Sequence, residues 1–294
     1  MEHQLWRLIV VILNQIDKRP KRTIDDFGPR DIVRVWFWAV LHDRPVSWAC
    51  RRQNWPLQER RRKLPSPSTM SRRLRSPAVR RLLNDIEEHV LRPQGVGPLI
   101  WAIDGKPLTI SGCSKDRQAG YGRAASGKAK GYKLHAIISL DGAISSWRIA
   151  PMNKDEREMA RRMLAVSPLQ GYILADANYD SNPLHEVCEQ RGDLQLVTPP
   201  RYGFCRGRGH RRQSAGRLRS IALLSNPQSA FGRELHQERN SIERHFGNLT
   251  NWWGGLNGLP SWVRTHRRVH RWVQAKLILY ALKRQCRKPT YVAS

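Results

Sequence analysis

The period of the apolar residues changes across residues 93–98, and no other feature constrains the fold as strongly. Before this Pro/Gly stretch, apolar residues recur at helical spacing. Leu5, Leu8, Ile9, Ile12 and Leu13 make one face, and Ile32, Val35, Trp36, Ala39 and Val40 make a second behind Pro29. Val79, Leu82, Leu83, Ile86 and Val90 make a third, over 77–91. A short helix is expected at 46–53, and Pro65-Ser66-Pro67-Ser68 precedes another over 69–74 with Ser68 as its N-cap. After residue 98 the apolar residues gather in short runs. Residues 99–103 read as a strand closed by Asp104, and 172–175 as a strand closed by Asp176. Residues 132–140 and 143–149 read as strands joined by the hairpin turn Asp141-Gly142, and 194–197 as a further strand. Helices are expected over 155–164, 182–191, 233–249 and 262–284, with loops at 112–131 and 199–232. The fold class that follows is α/β, a mixed sheet with flanking helices, preceded by an all-helical N-terminal domain. The expected division is 1–92 helical, 93–98 linker, 99–260 sheet domain, and 261–294 a basic C-terminal helix and tail.

Charge narrows the function. The chain has 52 Lys+Arg against 24 Asp+Glu, a formal net charge of +28. Forty of these cations are Arg and 12 are Lys. Between Arg51 and Arg81 stand eleven cations and one acid, Glu59; between Arg201 and Arg219 stand seven Arg and no acid; after Glu243 there is no acid at all. Such uncompensated charge repels itself in a compact state, so a polyanionic partner is expected. The Arg bias favours bidentate phosphate contact. No apolar span is long enough to cross a bilayer, and Leu5–Leu13, interrupted by Arg7, makes a poor secretory signal. No aromatic RNA-recognition signature appears, which leaves double-stranded DNA as the partner. Arg72, Arg73 and Arg75, on the element after the serine cap, fit a helix-turn-helix type reader of the duplex. Cys50, Cys113, Cys188, Cys205 and Cys286 are odd in number and contain no Cys-x-x-Cys, so neither a disulfide scaffold nor a zinc site is expected, and a cytoplasmic location is.

In a DNA-directed chain, the acids carry the chemistry question. Phosphodiester cleavage without a protein nucleophile uses two divalent cations, about 3.5–4 Å apart, held by carboxylate oxygens. Asp104 and Asp176 meet at one sheet edge if their strands are neighbours. Glu243 is the third acid expected, on a helix whose buried side is marked by Ile242, Phe246 and Leu249. Asp141 falls in a hairpin turn, Asp155 begins a helix, and Asp180 is expected to cap one.

These acids lie within "LIWAIDGK", "KGYKLHAIISLDGAISSWRIAPMNKDE", "YILADANYDS" and "ERNSIERHFGNL". Over roughly residues 60–285 the chain resembles the DDE transposases of bacterial insertion sequences. The resemblance implies a ribonuclease-H-like catalytic domain and a triad of Asp104, Asp176 and Glu243. It implies two Mg²⁺ (or Mn²⁺) ions on that triad, with Asp104 bridging them. The implied activity is nicking at the element's ends followed by attack of the 3′-hydroxyl on target DNA, by a homodimer associated with the bacterial nucleoid. One branch of the family carries Tyr, Arg, Glu and Lys at fixed spacing on the last helix. Arg239 and Glu243 match it, whereas His236 stands in place of the Tyr and Thr250 in place of the Lys. Arg239 and His236 are therefore expected to grip DNA beside the scissile bond. Lys133 and His135, alternating on one strand, are further DNA contacts expected near Asp104, and Trp252 and Trp253 offer stacking surfaces. A decayed transposase that only binds DNA and a nuclease that cleaves without joining are the alternatives.

Overall fold

The structure is a computed structural model that describes residues 2–17, 27–60, 62–91, 97–201, 213–225, 230–251 and 255–286. The side chains at 230, 233, 236, 239–243 and 245 are outside that description. Trp252, Trp253 and most of the arginine-rich stretch (202–212) also lie outside the described residues. Two compact units emerge: Met1–Arg92 with Arg271–Ser294, and Pro93–His270.

The first unit is helical among its described residues. It contains α1 (Glu2–Ile16), α2 (Pro29–Leu41), α3 (Val46–Ala49), α4 (Pro67–Arg73), α5 (Pro77–Leu91), and the part of α10 (His266–Gln285) that follows His270. The α4 helix starts earlier than expected. Pro67 supplies a helical φ at the first position, so Ser66 rather than Ser68 is the N-cap, its Oγ accepting from the Thr69 N–H at 3.2 Å. Leu74, Arg75 and Ser76 join α4 to α5. Indole rings organise the core near α1: Trp6 meets Trp38 edge-on at 4.8 Å, and Trp38 stacks on Trp55 at 4.9 Å. Arg34 lies over Trp6 and bonds Glu59, with burial pulling its guanidinium pKa down to about 10. The lone acid of the 51–81 stretch therefore neutralises an inward-facing cation. Removing one member of a buried pair costs about 3–5 kcal/mol. Glu59→Ala is expected to lower stability by about that much in urea titrations followed by tryptophan fluorescence. Arg34→Met/Glu59→Leu is expected to recover most of it; a double variant as weak as the single one counts against the pairing argument.

The second unit is a mixed sheet. Its strands are β1 (Ile100–Thr109), β2 (Gly120–Ala124), β3 (Gly127–Ser139), β4 (Ile144–Pro151), β5 (Gly171–Leu174) and β6 (Leu194–Val197). The order is β2-β3-β1-β5-β6, with β4 also on β3. β3 runs antiparallel to β1, β2 and β4, while β1, β5 and β6 are parallel. With the helices α6 (Glu156–Leu164), α7 (Asn182–Glu189), α8 (Ala215–Ser225) and α9 (Ala230–Thr250), this arrangement fits a ribonuclease-H-like fold. Strand side chains alternate between faces. Trp101, Ile103, Ile137 and Ile173 point to the face where α6 and α7 close a core around Met163, Leu164, Leu184 and Leu196. Helix α9 packs against β1.

Three expectations need correction. The stretch 112–131 is not simply a loop, since 120–131 forms β2 and the start of β3. Its glycines, which argue for a loop locally, permit close strand approach: a Cβ at Gly131 would stand 2.3 Å from the Leu108 carbonyl oxygen. Asp116 ties this region down by accepting from the Tyr132 hydroxyl (2.9 Å) and the Thr265 N–H (2.8 Å). The stretch 199–232 contains α8, whose Ser220 hydroxyl bonds both the N–H (2.9 Å) and the carbonyl (3.1 Å) of Thr198. Finally, the boundary placed at 260/261 falls at 270/271. Leu259, Thr265 and His266 donate backbone N–H groups to Thr109, Asp116 and Gln118 of the sheet unit, whereas Gln274 bonds Asn84 and Glu87 of α5.

Candidate active site

Asp104 does not close its strand. The apolar run stops at Ile103, but β3 offers an unbroken antiparallel partner from Gly131 to Ser139, and the ladder carries β1 on to Thr109. On its other side β1 pairs with β5 in parallel, Ile100 opposite Tyr172 and Ala102 opposite Leu174. Two residues further along each chain stand Asp104 and Asp176. The neighbouring-strand condition set by the sequence is therefore met. β5 stops at Leu174, and Asp176 begins a 3-10 turn, its Oδ1 accepting from the Asn178 N–H at 2.9 Å.

Asp104 accepts the N–H of Gly105 at 2.6 Å, yet its pKa is pushed up to about 6. Desolvation is the largest cause; the negative charges of Asp176 and Glu156 add to it, while Lys133 and the Gly105 N–H oppose it. Two carboxylates held this close repel, and a cation between them relieves the repulsion.

The α9 helix brings the third acid's position to the same unit. Leu235, Phe246 and Leu249 are buried on it, and Glu243 stands three residues before Phe246. The side chains of Glu243, Arg239 and His236 lie outside the described residues. Among the described residues, no group of three His, Cys, Asp or Glu is arranged to hold a metal ion. The two described aspartates fit hard divalent cations by their chemistry, being oxygen donors with charge to neutralise.

Lys133 and His135 sit on the sheet face opposite Asp104. Gly105 is in register with His135, and Pro107 with Lys133, so both side chains share the α6 face. Both are buried, at 8% and 1% exposure, and the Lys133 ammonium bonds Glu156. Burial pushes His135 down to about 4, so its ring is neutral at physiological pH. Of the arginines expected to meet DNA in the helical unit, Arg72 and Arg75 are exposed, while Arg73 donates to the Phe27 carbonyl.

Sequence reasoning passed over Glu156, Tyr179 and Asp180. Glu156 occupies the first turn of α6 behind the N-cap Asp155, where an acid is ordinary because it complements the helix dipole. Tyr179 is buried near the aspartates, and its phenol is held well above the usual range, first by desolvation and then by the charges of Asp104, Glu156 and Asp176. Asp180 caps no helix; Ser181 occupies that position before α7. Its carboxylate instead takes two bonds from Arg217 at 2.7 Å, with the buried His185 3.6 Å away. These partners hold it below the ordinary carboxylate range despite its burial. They anchor the turn that follows Asp176.

No curated protein matches the chain. A family model described as "Transposase DDE domain" matches residues 96–282, which covers the whole sheet, both aspartates, α9 and most of α10. A match over more than half of the 294 residues shows the family, and the chain belongs to the DDE-domain transposases.

Proposed function

We propose that this chain is the transposase of a bacterial insertion sequence, close to the Tyr-Arg-Glu-Lys branch, and that it cleaves and rejoins DNA at the element's ends. The observation that supports this reading best is the parallel pairing of β1 with β5, beyond whose register Asp104 and Asp176 each stand two residues on, with α9 packed against β1. In this reading Asp104, Asp176 and Glu243 hold two Mg²⁺ or Mn²⁺ ions. When bound, such ions activate a hydroxyl nucleophile and steady the charge on the leaving oxygen. The protein's own part is to fix Asp104 on a rigid strand and Asp176 at the turn just past its neighbour, and to screen Asp104 from bulk water. The Asp180–Arg217 pair keeps the turn after Asp176 in place. Arg239 and His236 of α9 grip phosphate near the scissile bond, and Arg72, Arg73 and Arg75 of the helical unit also grip the duplex. The protein works as a homodimer on paired ends, in the nucleoid. No helix of the described residues is long and apolar enough to cross a membrane.

Calorimetric titration of Mg²⁺ or Mn²⁺ onto the full chain tests the site. Two bound ions are expected in the wild type, and Glu243→Gln is expected to lose one or to weaken it by more than about tenfold. No uptake by the wild type would rule out the metal-site reading. With a supercoiled plasmid carrying the gene and its flanking DNA, joined products separate a transposase from a nuclease that only cleaves. Binding without either product points to a DNA-binding relic.

A further inference from the structure

Strand β2 and the start of β3 form a hairpin whose two faces have opposite characters. In the register of the pair, Tyr121 stands opposite Lys130 and Arg123 opposite Lys128. Strand alternation puts these four side chains on one face. The other face carries only small residues: Gly120, Gly122 and Ala124 on β2, and Gly127, Ala129 and Gly131 on β3. That small face is pressed against the chain leading into α6. A Cβ at Gly120 would stand 2.1 Å from Asn153 Oδ1, and one at Gly122 would stand 2.6 Å from the Met152 carbonyl oxygen. Close packing on the glycine side leaves the opposite face to solvent. Tyr121 is 57% exposed, and Arg123 and Lys128 are exposed with it.

The charge on this face is not balanced locally. Residues 112–131 hold five cations and a single acid, Asp116, which is buried and already accepts from Tyr132 and Thr265. Among the described residues, no ion pair engages Arg123 or Lys128. Like charges directly opposite one another disfavour a sheet. The Tyr121 ring gathers cations rather than neutralising them: Lys128 Nζ and Lys130 Nζ each lie 5.9 Å from its centre, within cation–π range. Charge on an edge strand also discourages pairing with another chain, but acids serve that purpose as well as cations, and this face has none.

The face is also within reach of the candidate active site. Ala136 of β3 stands opposite Asp104, and Lys130 and Lys128 precede it by six and eight residues. Both separations are even, so alternation keeps the two cations on the strand face that Asp104 uses. At about 3.3 Å per residue they lie about 20–27 Å along the strand from Ala136. One helical turn of duplex is longer, at about 34 Å, so a single duplex can meet both places.

We propose that the Tyr121, Arg123, Lys128 and Lys130 face is a duplex-DNA contact of the sheet unit, separate from the arginines of α4 and α9. Arg123 and Lys128 bind backbone phosphates, and the Tyr121 ring positions Lys128 and Lys130 for them. The proposal rests on the reading of the chain as a DNA-directed enzyme. Phosphate contacts carry no sequence information, so this face grips any duplex.

The test uses the full chain and a labelled duplex of random sequence longer than one helical turn, followed by fluorescence anisotropy across a salt series. Arg123→Gln/Lys128→Gln is expected to lower the salt slope by about two. Between 50 and 200 mM salt its affinity is then expected to fall about tenfold less than that of wild type. Its melting temperature is expected to be no lower than that of wild type, because a like-charged pair is removed. An unchanged slope together with a lower melting temperature shows a structural role and overturns the proposal. Tyr121→Phe keeps the ring and is expected to bind like wild type, whereas Tyr121→Ala is expected to bind about 2–5-fold more weakly. Tyr121→Ala that binds as tightly as wild type overturns the role given to the ring. Acetylation of Lys128 in the wild type gives a reading that depends on no variant, and saturating duplex is expected to slow it. Acetylation as fast with duplex as without it overturns the proposal, and so does protection by phosphatidylserine vesicles but not by duplex. Wild type that binds no duplex overturns the DNA-directed reading and this proposal with it. Wild type that binds, with the double variant keeping the full slope, overturns the proposal alone.

Discussion

Asp104→Asn is expected to reduce DNA cleavage by at least about 10³-fold while making the metal-free protein more stable at pH 7–8. Both effects come from one carboxylate. The loss of cleavage follows from the reading of Asp104 as a metal ligand, since stabilisation of transition-state charge is worth several kcal/mol and about 4 kcal/mol corresponds to 10³-fold. The gain in stability follows from its pKa, which rises from near 4 to about 6 on folding. A folded state that holds a proton more tightly than the unfolded chain loses stability as pH rises from about 4 through about 6, and above that the penalty is complete. Asn carries no charge, and its side-chain oxygen can still accept the Gly105 N–H. Allowing for the partial exposure of Asp104, the gain is about 1–2 kcal/mol, or a few degrees in Tm. Thermal scans in chelator at pH 4 and pH 7.5 check the sign: the two proteins converge at the lower pH and separate at the higher. A variant that melts earlier than wild type at pH 7.5, or that cleaves at the wild-type rate, contradicts the assignment.

DNA affinity is expected to fall about 10³–10⁵-fold between 50 and 200 mM salt, if six to ten phosphates are contacted. The net charge of +28 favours a steep response, but the structure decides which cations take part. Arg34, Lys133 and Arg217 already have carboxylate partners within the protein and release no counterion on binding. Arg72 and Arg75 are exposed on or just after α4, and replacing either with Ala is expected to reduce the salt slope by about one. Arg217→Met, by contrast, leaves the slope unchanged. Fluorescence anisotropy with a labelled duplex across a salt series measures all of these. A flat response in the wild type removes the electrostatic argument, and an unchanged slope in both α4 variants removes that surface from the interface.

Where sequence reading succeeded and failed can be traced to particular residues. Helices α2, α5 and α6 and strand β6 lie within a residue or two of where periodicity puts them, because each buries a face whose spacing is set by its own backbone. The apolar run at 99–103 located β1 but not its end, since the polar residues 104–106 stay in the strand only because β3 pairs with them. The Gly-rich 120–131 hairpin was hidden for a related reason. Its glycines serve close contacts with β1 and with Met152, which no local pattern reveals.

The candidate site divides in the same way. Asp104 and Asp176 stood out because each follows an apolar run; Glu243 was singled out because few acids compete with it late in the chain, and its side chain lies outside the described residues. The first-turn acid Glu156 looks like an ordinary helix residue until the sheet brings Lys133 and Gly105 beneath it.

By itself, then, the sequence determined the types and order of most elements, the basic character of the chain and the two aspartates that follow apolar runs, since these depend on residue type and on spacing along one segment. Only the tertiary structure decided that β1 and β5 align Asp104 with Asp176, that Asp104 is pushed up to about 6, and which cations are already paired inside the protein. Those outcomes depend on partners 23, 25 and 37 residues apart in the Lys133–Glu156, Arg34–Glu59 and Asp180–Arg217 pairs. Charge and burial act through space, and only packing fixes which distant residues share it.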